Sequence, residues 1–177
     1  MIKKFVRFIL YIIRILAING KNIRIRGFVR IGSNGRFSGK NIELRGPLIL
    51  SNGYDIFCIN SENLQGRIEI NSGYIGRNFH CVSAGDMQLG DSLLVANNVF
   101  VSNCGHGTEL NGIPFINQKL KYYGPIKIGR NVWIGEGSHV IGSLEIGDNV
   151  IIGNNEVVKV SIPCNSIFKN GGIHVRK

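Results

Sequence analysis

The stretch IKIGRNVWIGEGSHVIGSLEIGDNVIIGNNEVV, residues 126–158, determines the fold of this chain, because a branched apolar residue returns in it at every sixth position. Neither an α-helix nor an ordinary β-strand repeats with a period of six. The apolar anchors are Ile128, Ile134, Val140, Ile146, Ile152 and Val158. Six anchors in register are not explained by two or three plain strands that carry Ile-Gly by chance. The period therefore predicts a parallel β-solenoid, in which each short unit buries its apolar face by stacking on its neighbours.

Each hexad also carries a residue suited to a sharp corner, three positions after its anchor. These residues are Asn131, Gly137, Ser143, Asn149 and Asn155. Asparagine, glycine and serine accept a positive φ or bond their own backbone, so we expect each short strand to end in a corner.

The repeat resembles that of the hexapeptide-repeat acyltransferases, in which three hexads make one triangular coil of a left-handed parallel β-helix. The resemblance implies an all-β fold in which residues 18 apart are stacked neighbours. Arg130 would then lie beside Asp148 on the outer surface, and Asn131 beside Asn149 at a corner. Both are suitable lateral pairs for a parallel ladder.

The composition fits one domain with an anionic partner. A chain of 177 residues can bury a full core, and 24 glycines against 4 prolines suit a coil of tight corners. The 21 Lys and Arg against 11 Asp and Glu give a formal charge of +10. Such a charge indicates nucleic acid, an acidic membrane surface or a phosphorylated ligand. No nucleic-acid module is recognisable, so we expect no nucleic acid and favour the other two partners.

Residues 1–20, which begin MIKKFVRFILYIIRILAI, predict an amphipathic helix. Lys3, Arg7 and Arg14 would lie along one stripe of it, with apolar side chains over the rest. Arg7 and Arg14 interrupt the run of about 20 apolar residues that a spanning helix needs, and a secretory signal needs an unbroken apolar centre. Two interpretations remain. The helix either lies in a membrane interface, basic stripe toward anionic headgroups, or caps the open end of the β-helix or packs between subunits.

The rest of the chain divides into the β-helix at 21–163, which extrudes a loop at 103–125, and a basic tail at 164–177. The six-residue spacing shifts by one residue between Phe37 and Leu44, as is common in the terminal coils of repeat proteins. The basic residues between 22 and 45 point outward on this fold. They form either a solvated face or a docking surface for a phosphorylated lipid carrier.

The segments FVSNCGHG, residues 100–107, and GPIKIGRNVWIG, residues 124–135, closely resemble the galactoside, maltose and xenobiotic branch of the hexapeptide acetyltransferases. The resemblance covers roughly residues 70–165 and implies that the loop histidine, His106, is the catalytic base. A neutral imidazole, which ordinarily titrates near ~6.5, can accept a proton from a hydroxyl or amine that attacks a thioester. The glycines on both sides of His106, on an excursion from a regular coil, favour this role over that of an ordinary surface histidine.

The same resemblance implies two groups on the acceptor side. Asn78 occupies the place before His106 where relatives carry an asparagine that binds the substrate. Its alternative role is that of a corner residue. Asp86 lies on the same approach and would bind acceptor hydroxyls or orient His106, unless it is a corner aspartate that bonds its own backbone.

On the donor side, the resemblance implies a groove between subunits for the pantetheine arm of acetyl-CoA. Trp133 adjoins anchor Ile134, so it should point out of the coil, where an exposed indole needs a cover. The backbone amide of Glu136 is the candidate oxyanion donor. The positions that match contacts to coenzyme A in relatives are Asn154, Lys159, His174 and Lys177.

These features predict an acetyl-CoA-dependent O-acetyltransferase, a homotrimer that modifies a sugar hydroxyl of a bacterial surface polysaccharide or its lipid-linked precursor. The four cysteines have no paired spacing, as in reduced cytoplasmic proteins, and a lipid-binding N-terminus would hold the enzyme at the inner face of the cytoplasmic membrane. Two alternatives are an N-acetyltransferase of an amino sugar or antibiotic and a non-catalytic solenoid for binding or assembly. The histidines of this chain are His80, His106, His139 and His174. They do not reproduce the three-histidine zinc site of the carbonic anhydrases that share this solenoid, so no metal is expected.

Overall fold

The computed structural model describes residues 23–176, which form a three-faced parallel β-helix. Each coil of the chain adds one short strand to each of three sheets and turns at three corners. The left-handed β-helix expected from the hexads is confirmed as the fold class. The predicted helix at residues 1–20 lies outside the described residues. Between residues 23 and 176, no helix has the length and apolar composition needed to cross a bilayer.

The three faces take their strands in turn along the chain. Face 1 consists of Ile23–Arg26 (β1), Ile42–Arg45 (β4), Arg67–Ile70 (β7), Asp86–Leu89 (β10), Ile126–Ile128 (β15) and Leu144–Ile146 (β18). Face 2 consists of Val29–Ile31 (β2), Leu48–Leu50 (β5), Gly73–Ile75 (β8), Leu93–Val95 (β11), Trp133–Ile134 (β16), Ile151–Ile152 (β19), Ser166–Lys169 (β21) and Gly172–Val175 (β22). Face 3 consists of Arg36–Gly39 (β3), Asp55–Cys58 (β6), His80–Ser83 (β9), Phe100–Ser102 (β12), His139–Ile141 (β17) and Val157–Val158 (β20). Outside the faces, Cys104–His106 (β13) and Leu120–Tyr122 (β14) form a hairpin, and Phe115–Asn117 (η1) form a 3₁₀ turn.

The interior of the prism is a column of branched apolar side chains. The six hexad anchors are all buried, with exposures of 3% or less, as the period predicted: Ile128, Ile134, Val140, Ile146, Ile152 and Val158. Burying one such side chain stabilises the fold by roughly 1.5–3 kcal/mol. The column therefore fixes the register of every coil and decides which side chains face outward.

The predicted stacking interval of 18 is confirmed in the coils of residues 126–158, where Ile126 pairs with Leu144. In the first two coils the interval is 19, with Ile23 opposite Ile42. The extra residue accounts for the phase shift between Phe37 and Leu44.

The lateral contacts predicted from the interval of 18 are also present. The backbone N–H and the guanidinium of Arg130 donate to the carboxylate of Asp148 at 2.7 and 3.4 Å. The side-chain amide of Asn131 donates to Asn149 Oδ1 at 2.8 Å. Side-chain hydrogen bonds thus tie this corner of one coil to the stacked corner of the next coil.

Most predicted corner residues adopt the left-handed conformation. Positive φ values occur at Asn131, Gly137, Asn149 and Asn155. Ser143 is the exception, because the preceding Gly142 takes the turn with φ 121°. Glycine accepts this conformation more readily than serine.

The β-helix continues past residue 163, so the predicted boundary with a basic tail at 164–177 is corrected. The strand β21 pairs in parallel with β19, and β22 folds back on β21 as an antiparallel strand. Phe168 takes the next anchor position and is buried, but its interval from its partner Ile152 is only 16. Because the interval is shortened, the buried residues of this coil do not continue the period of six in the sequence. The hairpin turn is made by Asn170 and Gly171, both with positive φ.

The three faces differ in the chemistry they turn outward. Face 1 carries a charged and polar row: Arg24, Glu43, Glu69, Gln88, Lys127 and Glu145. Face 2 carries an apolar row: Ile49, Tyr74, Leu94, Trp133, Ile151 and Ile167. Face 3 carries Phe57, Val82, Phe100 and Ile141 beside two histidines. Extended apolar surface of this kind marks an interface, so faces 2 and 3 are suited to contact and face 1 to water.

Candidate active site

The loop at 103–125 leaves the prism at the corner where face 3 meets face 1, between the end of β12 and the start of β15. Its two arms pair as the antiparallel strands β13 and β14, with His106 opposite Leu120. The loop is therefore an organised hairpin that carries His106 on one arm.

Asn103 anchors the base of this hairpin. Its side chain is fully buried. Its Oδ1 accepts from the backbone N–H of Ala84 at 2.9 Å, and its Nδ2 donates to Ser83 Oγ and to the carbonyl of Asp86, both at 3.1 Å. These bonds tie the first loop residue to the irregular corner at residues 83–86.

Two tyrosines on the returning arm pack against glycines. A Cβ added at Gly85 would lie 2.2 Å from the ring of Tyr122, and one added at Gly105 would lie 2.1 Å from the hydroxyl of Tyr123. Partial burial raises the pKa of Tyr122, although a hydrogen bond with the backbone of Asp86 opposes the rise. Tyr122 is therefore a neutral phenol at physiological pH, and the glycine beside His106 is required for packing.

Gln118 holds the outer part of the loop together and is buried. Its Oε1 accepts from the backbone N–H of Glu109 at 2.9 Å, and its Nε2 donates to the carbonyls of Glu109 and Ile113 at 2.8 and 2.9 Å. A single amide thus joins the two sides of the loop directly after His106.

His106 itself is exposed, and its imidazole makes no hydrogen bond with another described residue. Asp86 is exposed on the same corner and does not bond His106 in this chain. Cys104, two positions before His106, is the nearby thiol to consider as a nucleophile. Burial raises its pKa, so it is protonated at physiological pH. This corner thus presents an exposed imidazole and no thiolate.

A second cluster lies on the corner between faces 2 and 3. Asn78 Nδ2 donates to Asn98 Oδ1 at 3.0 Å, and Asn98 Nδ2 donates to Glu136 Oε1 at 3.3 Å. The backbone N–H of Glu136 donates in turn to Asn154 Oδ1 at 3.0 Å. Three of the predicted site residues are therefore joined by one ladder, with Asn98 between them.

The ladder bears on the site roles predicted for Asn78 and for the backbone amide of Glu136. Asn78 has φ 55° and is a corner residue, while its exposed side chain still faces outward. The Glu136 amide, the predicted oxyanion donor, is already bonded to Asn154. An oxyanion could use it only by replacing that bond.

Trp133 lies on face 2 next to this corner and is 46% exposed, so its predicted outward direction is correct. It stacks in register with Ile151, which pairs with Ile167, which in turn faces His174 across the final hairpin. Directly opposed residues project on the same side of a sheet. The row from Trp133 to His174 is therefore continuous.

The predicted site residues thus form two groups within one chain. The loop group comprises His106, Asp86 and the exposed Lys159, which follows β20 at the corner of faces 3 and 1. The edge group comprises Asn78, Trp133, Glu136, Asn154 and His174. In a triangular prism the corner of faces 3 and 1 is opposite face 2, so the prism itself separates His106 from Trp133. Lys177 lies outside the described residues.

Reasoning from the sequence missed the residues that hold these groups in place: Asn98, Asn103, Gln118 and Tyr122. A signal existed for Asn98, which stacks on Asn78 at an interval of 20 and has the same corner conformation. The contacts of Asn103 and Gln118 depend on the path of the loop, which carries no repeat.

No group of three or more His, Cys, Asp or Glu side chains that could hold a metal ion occurs in residues 23–176. His80 and His139 lie on either side of Phe100, with ring centroids 5.0 and 5.7 Å away. The ring of Phe100 thus lies between the imidazoles of these two histidines.

The fold and the repeat are similar to those of the hexapeptide-repeat transferases, as the resemblance implied. Residues 125–155 match the family model described as bacterial transferase hexapeptide (six repeats). The galactoside O-acetyltransferase of Escherichia coli (strain K12) is 36% identical over 107 residues, 53% of this chain and 48% of the relative. The protein WbbJ of the same organism, named for lipopolysaccharide biosynthesis as an O-acetyl transferase, is 30% identical over 95 residues, 50% of this chain and 48% of WbbJ. The chain spans about half the length of these curated relatives.

Solved structures share the fold. A variant of AntD, an N-acyltransferase from Bacillus cereus in complex with dTDP and coenzyme A, has a TM-score of 0.70 at 16% identity, over 93% of this chain and 87% of AntD. Galactoside acetyltransferase in complex with coenzyme A has a TM-score of 0.52 at 21% identity, over 88% of this chain and 64% of that one. At these identities the likeness establishes the fold alone.

Proposed function

We propose that this chain is an acetyl-CoA-dependent O-acetyltransferase that acts on a sugar hydroxyl, with His106 as its general base. The observation that carries the proposal is an exposed histidine on an anchored hairpin outside a coil whose curated relatives are named acetyltransferases. The acceptor we propose is a bacterial surface polysaccharide or its lipid-linked precursor, a choice supported by the name of WbbJ.

In this reaction the imidazole of His106 removes the proton of the acceptor hydroxyl as its oxygen attacks the thioester carbonyl carbon. The new C–O bond forms, the C–S bond breaks, and the departing thiolate of coenzyme A takes the proton back from the imidazolium. Asp86, exposed on the same corner, accepts hydrogen bonds from other acceptor hydroxyls. Positioned base catalysis of this kind is worth about 10²- to 10⁴-fold.

The donor would lie along face 2. Trp133 and the apolar row that continues to His174 offer a surface for the pantetheine arm, and Asn154 stands at the edge of that surface. The exposed ammonium of Lys159, on the loop side of the prism, would reach a phosphate group of coenzyme A from a neighbouring copy. Acetyl-CoA is thus consumed as a substrate, and the proposal involves no resident cofactor.

We further propose that each site is shared between two subunits of a homotrimer. The loop group and the edge group lie on opposite sides of one prism, so the base of one copy must meet the tryptophan face of the next. The apolar rows on faces 2 and 3 supply the surface for such a contact. A contact between unlike faces forms a closed trimer when each copy is rotated by a third of a turn relative to the next.

An N-acyltransferase of an amino sugar is the second candidate function. The carboxylate of Glu136 is exposed at the end of the asparagine ladder, where it could attract an ammonium group. AntD, which has this fold, is an N-acyltransferase. A preference of the enzyme for amino sugars over their hydroxyl counterparts would favour this function.

The first experiment measures thiol release from acetyl-CoA in the presence of a soluble galactoside. His106→Asn keeps size and polarity but lacks a usable base, so turnover should fall about 10²- to 10⁴-fold, with little change in the KM for acetyl-CoA. Asn111→Ala, at an exposed position of the same loop, should keep normal turnover. Near-normal turnover by His106→Asn would refute the mechanism.

A second experiment tests the shared site by complementation. Trp133→Ala and His106→Asn subunits, each nearly inactive alone, are co-expressed and purified as mixed oligomers. If the base and the tryptophan come from different copies, random mixing leaves about a quarter of the sites with both native residues. Recovery of about a quarter of wild-type activity is expected, whereas no recovery would mean that each chain builds its own site.

We place the enzyme in the cytoplasm, with peripheral contact at the inner face of the bacterial membrane through its N-terminus. All four cysteines are free, as proteins of a reducing compartment usually keep them. Fractionation of cells that produce the full chain would test this placement.

A further inference from the structure

Positive charge is concentrated toward the N-terminal end of the chain. Residues 1–80 hold 13 Lys and Arg against 4 Asp and Glu, whereas residues 81–177 hold 8 against 7. Nearly the whole net charge of +10 thus belongs to the N-terminal part of the chain. The trend persists between residues 23 and 80, which hold 8 basic against 4 acidic side chains.

The coil converts this asymmetry in sequence into an asymmetry in space. The strands β1, β2 and β3 are the terminal strands of faces 1, 2 and 3, and each later coil stacks one step farther away. Adjacent strands are about 4.8 Å apart, so position in the chain corresponds to height along the prism axis. One end of the prism is therefore basic, and the other half is close to neutral.

Ion pairs do not cancel the charge of the basic end. On face 1, Glu43 pairs with Arg26 and Arg45 at 2.7 and 2.9 Å, and Glu69 pairs with Arg45 and Arg67 at 3.1 and 3.3 Å. Burial of Glu43 raises its pKa, but the hydrogen bond from Arg45 and the charge of Arg26 outweigh this and lower it overall. Both carboxylates are thus already occupied, and three arginines share them.

The first coil presents further cations together with an aromatic side chain. Arg24, Arg30 and Lys40 are exposed, and none of them has a carboxylate within 4.0 Å among the described side chains. Phe28 is 65% exposed between Arg26 and Arg30, at the corner of faces 1 and 2. Basic side chains around an apolar residue suit the headgroup region of an anionic membrane.

The height of the candidate site fits such a surface. His106 follows β12, the fourth strand of face 3, and Trp133 lies on β16, the fifth strand of face 2. The two therefore stand about three and four strand spacings, or about 14 and 19 Å, from the terminal coil. A sugar held above the bilayer by its lipid carrier would reach this height.

We propose that the basic N-terminal end of the β-helix, presented by its first coil, docks on an anionic bilayer with the prism axis directed away from the surface. The docked enzyme meets acceptor sugars that project from membrane lipids. The identity of the acceptor rests on the proposed function, whereas the docking itself does not.

Vesicle flotation of the full-length protein tests the docking. Binding to phosphatidylcholine vesicles that contain phosphatidylglycerol is expected, with little binding to phosphatidylcholine alone, and added salt should weaken it. Each basic residue near an anionic surface contributes about fivefold to binding. The triple variant Arg24→Gln/Arg30→Gln/Lys40→Gln should therefore bind on the order of 100-fold more weakly.

The matched control removes the same charge farther along the prism, as Lys121→Gln/Lys127→Gln/Lys169→Gln, and should bind almost like the wild type. An equal loss in the control would refute docking by the N-terminal end. Displacement by inorganic pyrophosphate beyond that caused by NaCl at equal ionic strength would also refute it, in favour of a site for a soluble phosphorylated ligand.

Thiol release with a soluble galactoside separates this inference from the proposed function. The first-coil variant should keep wild-type turnover in solution while it fails to bind vesicles. Wild-type protein that binds vesicles but releases no thiol with any sugar would refute the proposed function and leave the docking intact.

Discussion

Replacing Asn103 with alanine should loosen the base of the loop that carries His106. The substitution removes one accepted and two donated hydrogen bonds, which hold the loop to Ala84, Ser83 and Asp86. It leaves the buried N–H of Ala84 without its acceptor. The corner at residues 83–86 would then keep its backbone pairing, the bond from Ser83 Oγ to the carbonyl of Gly85 and the packing of Tyr122.

The magnitude follows from the number and burial of these bonds. A typical hydrogen bond contributes about 0.5–1.5 kcal/mol net, and an orphaned buried donor costs about 1–3 kcal/mol. We therefore expect Asn103→Ala to lower the free energy of unfolding by about 2–4 kcal/mol. For a chain of this size the corresponding drop in Tm is about 5–15 °C.

Urea unfolding at one fixed protein concentration measures the effect, because oligomer stability depends on concentration. Asn111→Ala is the matched control in the same loop, since the exposed Asn111 accepts only the N–H of Ile113 at 3.1 Å. This control should stay within about 0.5 kcal/mol of the wild type. If Asn103→Ala were equally mild, Asn103 would not be the anchor of the loop.

Two further predictions concern the loop amide and a buried thiol. Gln118→Ala should lower turnover about tenfold or more, since a small misplacement of a catalytic group is costly. The urea midpoint should stay near that of the wild type, because Gln118 bonds only to residues of the exposed loop, which can open without unfolding the coil; unchanged turnover would show that the loop keeps its shape without Gln118. Burial raises the pKa of Cys58 from 9.0 to about 12, so the folded state favours the protonated thiol. Its contribution to stability is complete below pH ~9 and is lost as the pH rises through the folded pKa, at about 1.4 kcal/mol per pH unit. Cys58→Ala should flatten the alkaline fall in a pH series of unfolding measurements, whereas Cys164→Ala, at an exposed thiol, should not; identical slopes would contradict the argument.

The sequence was sufficient for the coil because one period governs burial, corners and lateral contacts together. Ile128 stacks on Ile146, which fixes the register of the two coils. Arg130 and Asp148 each lie two positions after these anchors, so they must be neighbours as well. The same logic failed after Val158. There the stacking interval shortens to 16, and the buried Phe168 no longer falls on the six-residue period.

The candidate site was predictable as residue types but not as an arrangement. His106 was assigned by the resemblance of residues 100–107 and 124–135 to a known family and was favoured by its flanking glycines. The outward direction of Trp133 followed from its position beside an anchor, and all of these are local features. His106 and Trp133 lie on opposite sides of the prism because the loop leaves the prism after β12, at the corner of faces 3 and 1. The local sequence does not show which corner this is. The hydrogen bonds of Asn103 to residues 83–86 join parts of the chain that are 17 to 20 positions apart. They lie outside the regular repeat, so the period does not predict them.

The chemistry of the faces restricts how two copies can complete a site. If face 2 of one copy met face 2 of another, the two Trp133 rows would cover each other, and both loops would remain on the far side of their own prisms. If face 2 instead meets face 3 of the next copy, the corner between faces 3 and 1 of that copy lies at the edge of the contact. Its loop can then bring His106 to Trp133. The second arrangement joins unlike faces, so it can repeat around an axis and close when the rotation between copies is a third of a turn, and it leaves the charged row of face 1 in water. Recovery of activity from mixed His106→Asn and Trp133→Ala subunits would support this arrangement, because a face 2 to face 2 dimer would hold no site with both residues.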